Sequence, residues 1–126
     1  MRGYEVTIKE TSKQLTAKEK VAFKNTTNAI KLDEATQQGT VTVYPEYYGV
    51  LGIHNEKADD NPDYDNYVVV DSKTGNKYVT GSKSFWTSFM DIADEMSGED
   101  EEWGVEIFRS PSKNYKGKDF ITCCII

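Results

Sequence analysis

The stretch 67–98, YVVVDSKTGNKYVTGSKSFWTSFMDIADEMSG, changes its period halfway along, and that change decides the fold class. Tyr67-Val68-Val69-Val70 is aromatic and β-branched, Ser72 to Asn76 is a turn built on Gly75, and Lys77-Tyr78-Val79-Thr80 runs back as a second strand. From Ser84 onward the apolar residues fall differently. Phe85, Phe89, Ile92, Ala93 and Met96 recur at i, i+4, i+7, i+8 and i+11, which is one face of a helix. Ser82 or Ser84 caps its start and Ser97-Gly98 ends it. A hairpin followed by one amphipathic helix is thus the centre of the chain, and the helix stripe reads as core.

Strands extend in both directions from this centre. Residues 3–10 place Tyr4, Val6 and Ile8 on alternate positions and read as a strand. Residues 11–26 are polar and lysine-rich. There Thr16-Ala17-Lys18-Glu19 has the capping-box spacing of a short helix, and a strand over 20–24 is the alternative. Segments 28–34 and 39–54 follow, divided at Gln37-Gln38-Gly39; within the second, 40–44 alternates with Val41 and Val43 on one face and 47–53 reads as strand, with Pro45 and Gly49 as bends or bulges. Residues 55–66 are an acidic loop broken by Pro62. Beyond the helix, Glu99-Asp100-Glu101-Glu102 is a solvated acidic run without the spaced ligands and central glycine of an EF-hand loop. Residues 103–109 and 119–126 are two last strands, joined by a long Ser/Lys/Gly tip.

The whole chain, 1–126, is expected to form a single domain that is mainly β with one α-helix. Short strands with one late helix suit a small closed barrel, and a helix before the last two strands is the order of a five-stranded oligonucleotide-binding barrel. At 126 residues with 15 aromatic side chains the chain is long enough for one real core. No apolar run approaches a membrane span, and Met1-Arg2-Gly3-Tyr4 has no secretory character, so a cytoplasmic protein with no membrane contact is expected. The adjacent cysteines, Cys123 and Cys124, point to opposite faces of a strand and read as reduced, small apolar residues. His54 is the single histidine and has no Cys or His at ligand spacing, so no metal and no cofactor are expected. GxSxG, HExxH, P-loop and GxGxxG motifs are absent and no carboxylate pair stands out, so the chain is not read as an enzyme and no catalytic residue is assigned.

Charge is unevenly spread. Residues 1–31 carry a net +4, 32–104 a net −12 and 105–126 a net +2, within an overall −6. If both ends pair in one sheet, an acidic protein acquires a basic face. The tip after the penultimate strand interleaves Arg109, Lys113, Lys116 and Lys118 with Tyr115, a composition that suits a nucleic-acid backbone: cations neutralise phosphates and the ring offers a face to a base. Tyr44, Tyr47 and Tyr48, with Tyr64 and Tyr67 beyond the acidic loop, form a second aromatic group. Tyr44 and Tyr48 share a face only if no bulge intervenes at Pro45.

The span 67–126 resembles the single-stranded-DNA-binding proteins of small phages with protein-primed replication, the Bacillus phage members in particular. The resemblance is carried by the strand into a glycine turn (67–75), the Tyr/Ser/Lys lead into the helix (78–84), the strand with its Ser-Lys-x-x-Lys-Gly-like tip (105–117) and the terminal strand (120–126). Phe23-Lys24-Asn25 matches an upstream Phe-Lys-Asn. It implies an oligonucleotide-binding fold and cooperative, sequence-tolerant binding of single-stranded DNA in phage or mobile-element replication, hence self-association along the strand. Lys113, Tyr115 and Lys116 are the contacts it carries over. The chain differs from the family in its acidic insertion at 55–66, in Trp86 and Trp103, and in an apolar Ile125-Ile126 where bacterial counterparts have an acidic tail. A reading of another class rests on the acidic middle: an interaction or inhibitor module that mimics nucleic acid and occupies a basic groove on a host protein.

Overall fold

The computed structural model describes residues 4–56, 62–111 and 119–126. Among them are eight strands and three helices. Strands β1 (Tyr4–Thr11), β4 (Pro45–Asn55), β5 (Asp63–Asp71), β6 (Lys77–Thr80) and β2 (Ile30–Lys31) make a five-stranded sheet in the order β1-β4-β5-β6-β2. Strands β3 (Val41–Val43), β7 (Val105–Pro111) and β8 (Asp119–Ile125) make a second sheet in the order β3-β7-β8. All neighbours are antiparallel except β2 with β6.

The barrel expectation is corrected here. The chain is β-rich, but its strands are divided between two sheets that do not close into a barrel. The division falls at Tyr44, where β3 ends in the small sheet and β4 begins in the large one, with a register shift between Pro45 and Tyr47. The two chain ends also separate, β1 lying in the large sheet and β8 in the small one, so they do not pair as a joint basic face.

The single-helix expectation is corrected too. Helix α1 (Ala17–Lys24) forms because the capping box closes in both directions: the Glu19 N–H donates to Thr16 Oγ1 at 3.2 Å, and the Thr16 N–H donates to Glu19 Oε1 at 2.9 Å. That decides 17–24 for helix over strand, and Phe23 is the side chain it buries. Helix α2 (Leu32–Gln38) spans the end of segment 28–34 and the division at Gln37-Gln38, leaving only Ile30–Lys31 extended. Its first turn carries Asp33 and Glu34, which the positive N-terminal end favours, and Gly39 (φ 151°) ends it. The helix ties the two sheets together. Thr80 Oγ1 of β6 donates to Asp33 Oδ1 at 2.9 Å, while the Arg109 guanidinium of β7 donates to the Asp33 carbonyl at 2.6 Å and to Thr36 Oγ1 at 3.1 Å.

Helix α3 (Lys83–Met96) follows the expected stripe, with Ser82 as its N-cap and Phe85, Phe89 and Ala93 buried. It lies along β8, where Ser84 donates to the Ile121 carbonyl and Ser88 bonds Thr122. Expected strands at the termini and the 67–80 hairpin, turning at Gly75 (φ 75°), are present, although β5 starts at Asp63, inside the segment expected to be loop. No helix among the described residues is long and apolar enough to cross a membrane.

Two cores result. One face of the large sheet packs Leu51, Ile53, Val68 and Val79 against Leu15 and Phe23 from the α1 segment. The other core joins Val69 and Tyr78 of the large sheet to Val43, Val105, Ile107, Ile121 and Cys123 of the small one, with Leu32 of α2 and Phe85, Phe89 and Ala93 of α3 between them. Cys123 is buried and Cys124 exposed, on opposite faces as expected, and burial pushes the Cys123 thiol up to about 12.

Candidate functional site

Period-two alternation along β4 sends Tyr47, Gly49, Leu51 and Ile53 to the α1 side and Tyr48, Val50, Gly52 and His54 to the other. On that second side α3 and the small sheet cover only the Tyr48 end. Antiparallel register fills in the rest of the open face: Glu5 and Asp63 flank His54, and Thr7 and Asp65 flank Gly52. Tyr67 lies opposite Val50. Three cavities follow one another along it. The first, about 440 Å³, includes Glu5, Thr7, Lys9, His54, Asp63 and Asp65 in its lining. The second, about 280 Å³, shares Lys9 and Asp65 with the first and adds Glu10, Val50, Tyr67 and Trp86. The third, about 350 Å³, shares Glu10 and Trp86 with the second and adds Ser12, Tyr48, Gly49 and Met90. The resulting groove follows β4 from His54 to Tyr48, six residue steps or roughly 20 Å.

Its Tyr48 end is aromatic. Trp86, half-buried, stacks on Tyr67 with ring centroids 5.0 Å apart and planes 12° from parallel. On its other flanks Trp86 stacks on Phe89 at 5.5 Å and meets the Tyr48 ring edge-on at 6.2 Å. Tyr48 in turn sits edge-on to Phe89 at 4.9 Å. The indole is therefore held in a fixed orientation by three buried or half-buried rings, with its remaining surface lining two of the cavities. Burial raises the Tyr48 and Tyr67 hydroxyls above their usual pKa, so both are neutral phenols at physiological pH.

The middle of the groove is built by a bulge and by Gly52, with Gly49 behind it on the α1 face. The register of β1 on β4 shifts between Ile8 and Glu10, which leaves Lys9 as the extra residue and turns Lys9 and Glu10 toward the groove. The bulge brings the Glu10 carbonyl so close to Gly49 that a Cβ there would lie 2.2 Å from it. Lys9 then runs across Gly52, where a Cβ would lie 3.0 Å from its Cδ, and its Nζ pairs with Asp65 at 3.1 Å on the third strand.

The far end is a charge cluster. His54 Nδ1 donates to Asp63 Oδ1 at 2.6 Å, and its Nε2 stands 3.7 Å from Glu56. The bond to Asp63, then the nearby charges of Asp63 and Glu56, hold the imidazole above its ordinary pKa against a smaller opposing effect of burial.

Of the residues singled out from sequence, Tyr48, Tyr64 and Tyr67 line this groove. Tyr47 points to the opposite face, against Phe23 at 5.8 Å, with Lys13 Nζ 4.7 Å above its ring. Tyr44 lies at the crossing between the sheets under Lys73, 3.9 Å from its centroid, and is separated from Tyr48 by the irregularity at Pro45. Arg109 is engaged by α2 as described. Lys113, Tyr115, Lys116 and Lys118 lie outside the described residues. Trp86, Lys9 and His54 did not emerge from sequence as site residues. The available sign for Trp86 was its position one step off the Phe85/Phe89 stripe, where a large aromatic is left at the edge of the buried face. No protein-family model, curated protein or solved structure matches the chain.

Proposed function

We propose that this chain binds single-stranded DNA without sequence preference, laying a few nucleotides along the β1-β4-β5 groove with a base stacked at Trp86. One observation carries the reading: a continuous open groove across a sheet face that ends on a half-buried indole held rigid by Tyr48, Tyr67 and Phe89. Stacking needs only a π-face, which every base has, and contributes about 1–3 kcal/mol per base. The resemblance of 67–126 to phage single-stranded-DNA-binding proteins supports the same reading, and on that resemblance the role would be in replication of a phage or mobile element. The groove has mixed charge: Lys9 and His54 face Glu5, Glu10, Asp63 and Asp65. Carboxylates outnumber cations there, and Lys9 and His54 are already paired with Asp65 and Asp63, so on this reading stacking supplies the affinity and phosphate contacts add little.

The test is a titration of labelled oligo-dT followed by fluorescence anisotropy at several salt concentrations, with a duplex of equal length as control. The expected outcome is single-strand preference with a shallow salt dependence, a slope of about −0.7 per engaged cation in log K against log salt. A slope far steeper than two cations allow means further cationic contacts outside the groove, for which Lys113, Lys116 and Lys118 are the candidates to substitute first. No binding at low salt, or tighter binding to the duplex, rejects the proposal.

A second reading, the acidic module that occupies a basic groove on a host protein, has its own supporting observation. Asp91, Asp94, Glu95 and the run Glu99 to Glu102 are all exposed, and the last turn of α3 contains no basic residue. Carboxylates at a helix C-terminus oppose the helix dipole, a local cost that binding to a basic surface would offset. Neutralising Glu99, Asp100, Glu101 and Glu102 separates the two: it abolishes host-protein capture on this reading and leaves oligo-dT binding intact on the first.

A further inference from the structure

We propose that the outer edge of β1 is a homodimer interface, on which a second copy of this chain adds its own β1 antiparallel about a two-fold axis at Thr7. The strand ends the sheet order β1-β4-β5-β6-β2, and among the described residues it pairs with β4 alone. A free edge of this length presents a row of backbone donors and acceptors, and proteins usually blunt it with proline, charged side chains or a bulge. Here no proline is present, and the bulge lies at Lys9, the last residue of the segment that would pair.

The segment Glu5-Val6-Thr7-Ile8-Lys9 is self-complementary. Placed antiparallel to itself about Thr7, it sets Glu5 opposite Lys9 of the second copy, Val6 opposite Ile8, and Thr7 opposite Thr7. The same contacts recur in reverse, as a two-fold interface requires. Opposite charges and paired β-branched residues are the favourable cross-strand combinations. Lys9 is half-exposed on a flexible stem, so it can exchange Asp65 for the glutamate of the second copy.

Space for the incoming strand is present. A cavity of about 730 Å³ lies beside β1, lined by Glu5, Val6 and Thr7 and by Val21, Lys24 and the residues that follow α1. Val21 is 72 % exposed, the most exposed large apolar side chain among those described, and it stands on the α1 side of the sheet to which Val6 and Ile8 also point. The Val6–Ile8 pairs of a dimer would extend that apolar strip toward it. The palindromic pattern selects a second copy over an unrelated peptide. Five residues of edge make a small interface, so the dimer is reversible. This inference does not depend on the nucleic-acid reading.

Sedimentation velocity over a concentration series tests it. Wild-type protein is expected to pass reversibly from monomer to dimer. Glu5→Lys and Lys9→Glu should each weaken the dimer by about tenfold, because two like-charged contacts replace two attractive ones. An equimolar mixture of the two variants should recover association, since each then offers the charges the other lacks. In wild-type protein, hydrogen exchange of the amides at 5–9 should slow as concentration rises, a readout that needs no variant to fold. A protein that stays monomeric at every concentration, a dimer indifferent to both reversals, a mixture no tighter than its components, or exchange at 5–9 that ignores concentration would each overturn the interface.

Discussion

Gly49 and Gly52 matter by what they lack, Gly49 on the α1 face against the β1 bulge and Gly52 on the groove face. At Gly49 any side chain would drive into the Glu10 carbonyl, and at Gly52 it would displace the Lys9 stem. Backbone cannot move aside as a side-chain end can, so Gly49→Ala should cost about 1–3 kcal/mol of stability, read as a lower midpoint in urea unfolding. Gly52→Ala should cost less and instead disturb the Lys9–Asp65 pair. His54 gives a residue-scale prediction in pH. With its folded pKa raised by Asp63, protonation favours the folded state, so its contribution is fully present below the unfolded value of about 6.5 and is lost as pH rises through the higher folded value. As the single histidine, its ring proton is followed directly by NMR. The titration midpoint should lie above the ordinary value, and Asp63→Asn should bring it back down; a midpoint unmoved by that change would remove Asp63 as the cause.

Elements differ in how plainly the sequence announces them, and the difference has physical causes. Helix α3 and the 67–80 hairpin were legible because their apolar period matches the face they bury. The capping box at Thr16 and Glu19 marked α1, yet with only Phe23 buried the helix has no apolar stripe to separate it from a strand. Helix α2 was hidden because Leu32 and Thr36, its buried positions, give too short a pattern beside the strand-like Ile30-Lys31. The early start of β5 was hidden for the opposite reason: Asp63 and Tyr64 are exposed, so their polarity reads as loop while their backbone pairs with His54 and Ile53. Arg109 looked available for phosphate by composition, and only the tertiary placement of α2 occupies it. Arg109→Ala should therefore lower stability by about 1–2 kcal/mol in thermal or urea unfolding, as α2 loses its tie to β7, and leave oligo-dT affinity at the wild-type level.

Across the whole molecule, the β-rich character was readable, whereas the partition into two sheets with two cores was not. It depends on where the chain crosses at Tyr44 and on α2 clasping β6 and β7, which are long-range facts that local patterns do not encode. The same partition creates the groove, because the small sheet and α3 cover only part of the large sheet's face. Aromatic residues noticed as a group in the sequence are thereby sorted: Tyr48 and Tyr67 join Trp86, Tyr47 turns to α1, and Tyr44 stays at the seam. Trp86→Ala should weaken oligo-dT binding by about 1–3 kcal/mol, while Tyr47→Ala should not.

The most direct measurement uses the indole itself. In a Trp103→Phe variant, Trp86 is the sole tryptophan, and its emission can be followed while oligo-dT is added. The account predicts saturable quenching of Trp86 with the same midpoint as the anisotropy titration. Binding that leaves Trp86 emission unchanged would place the nucleic acid elsewhere on the protein and contradict the groove, and the absence of any binding would contradict the function.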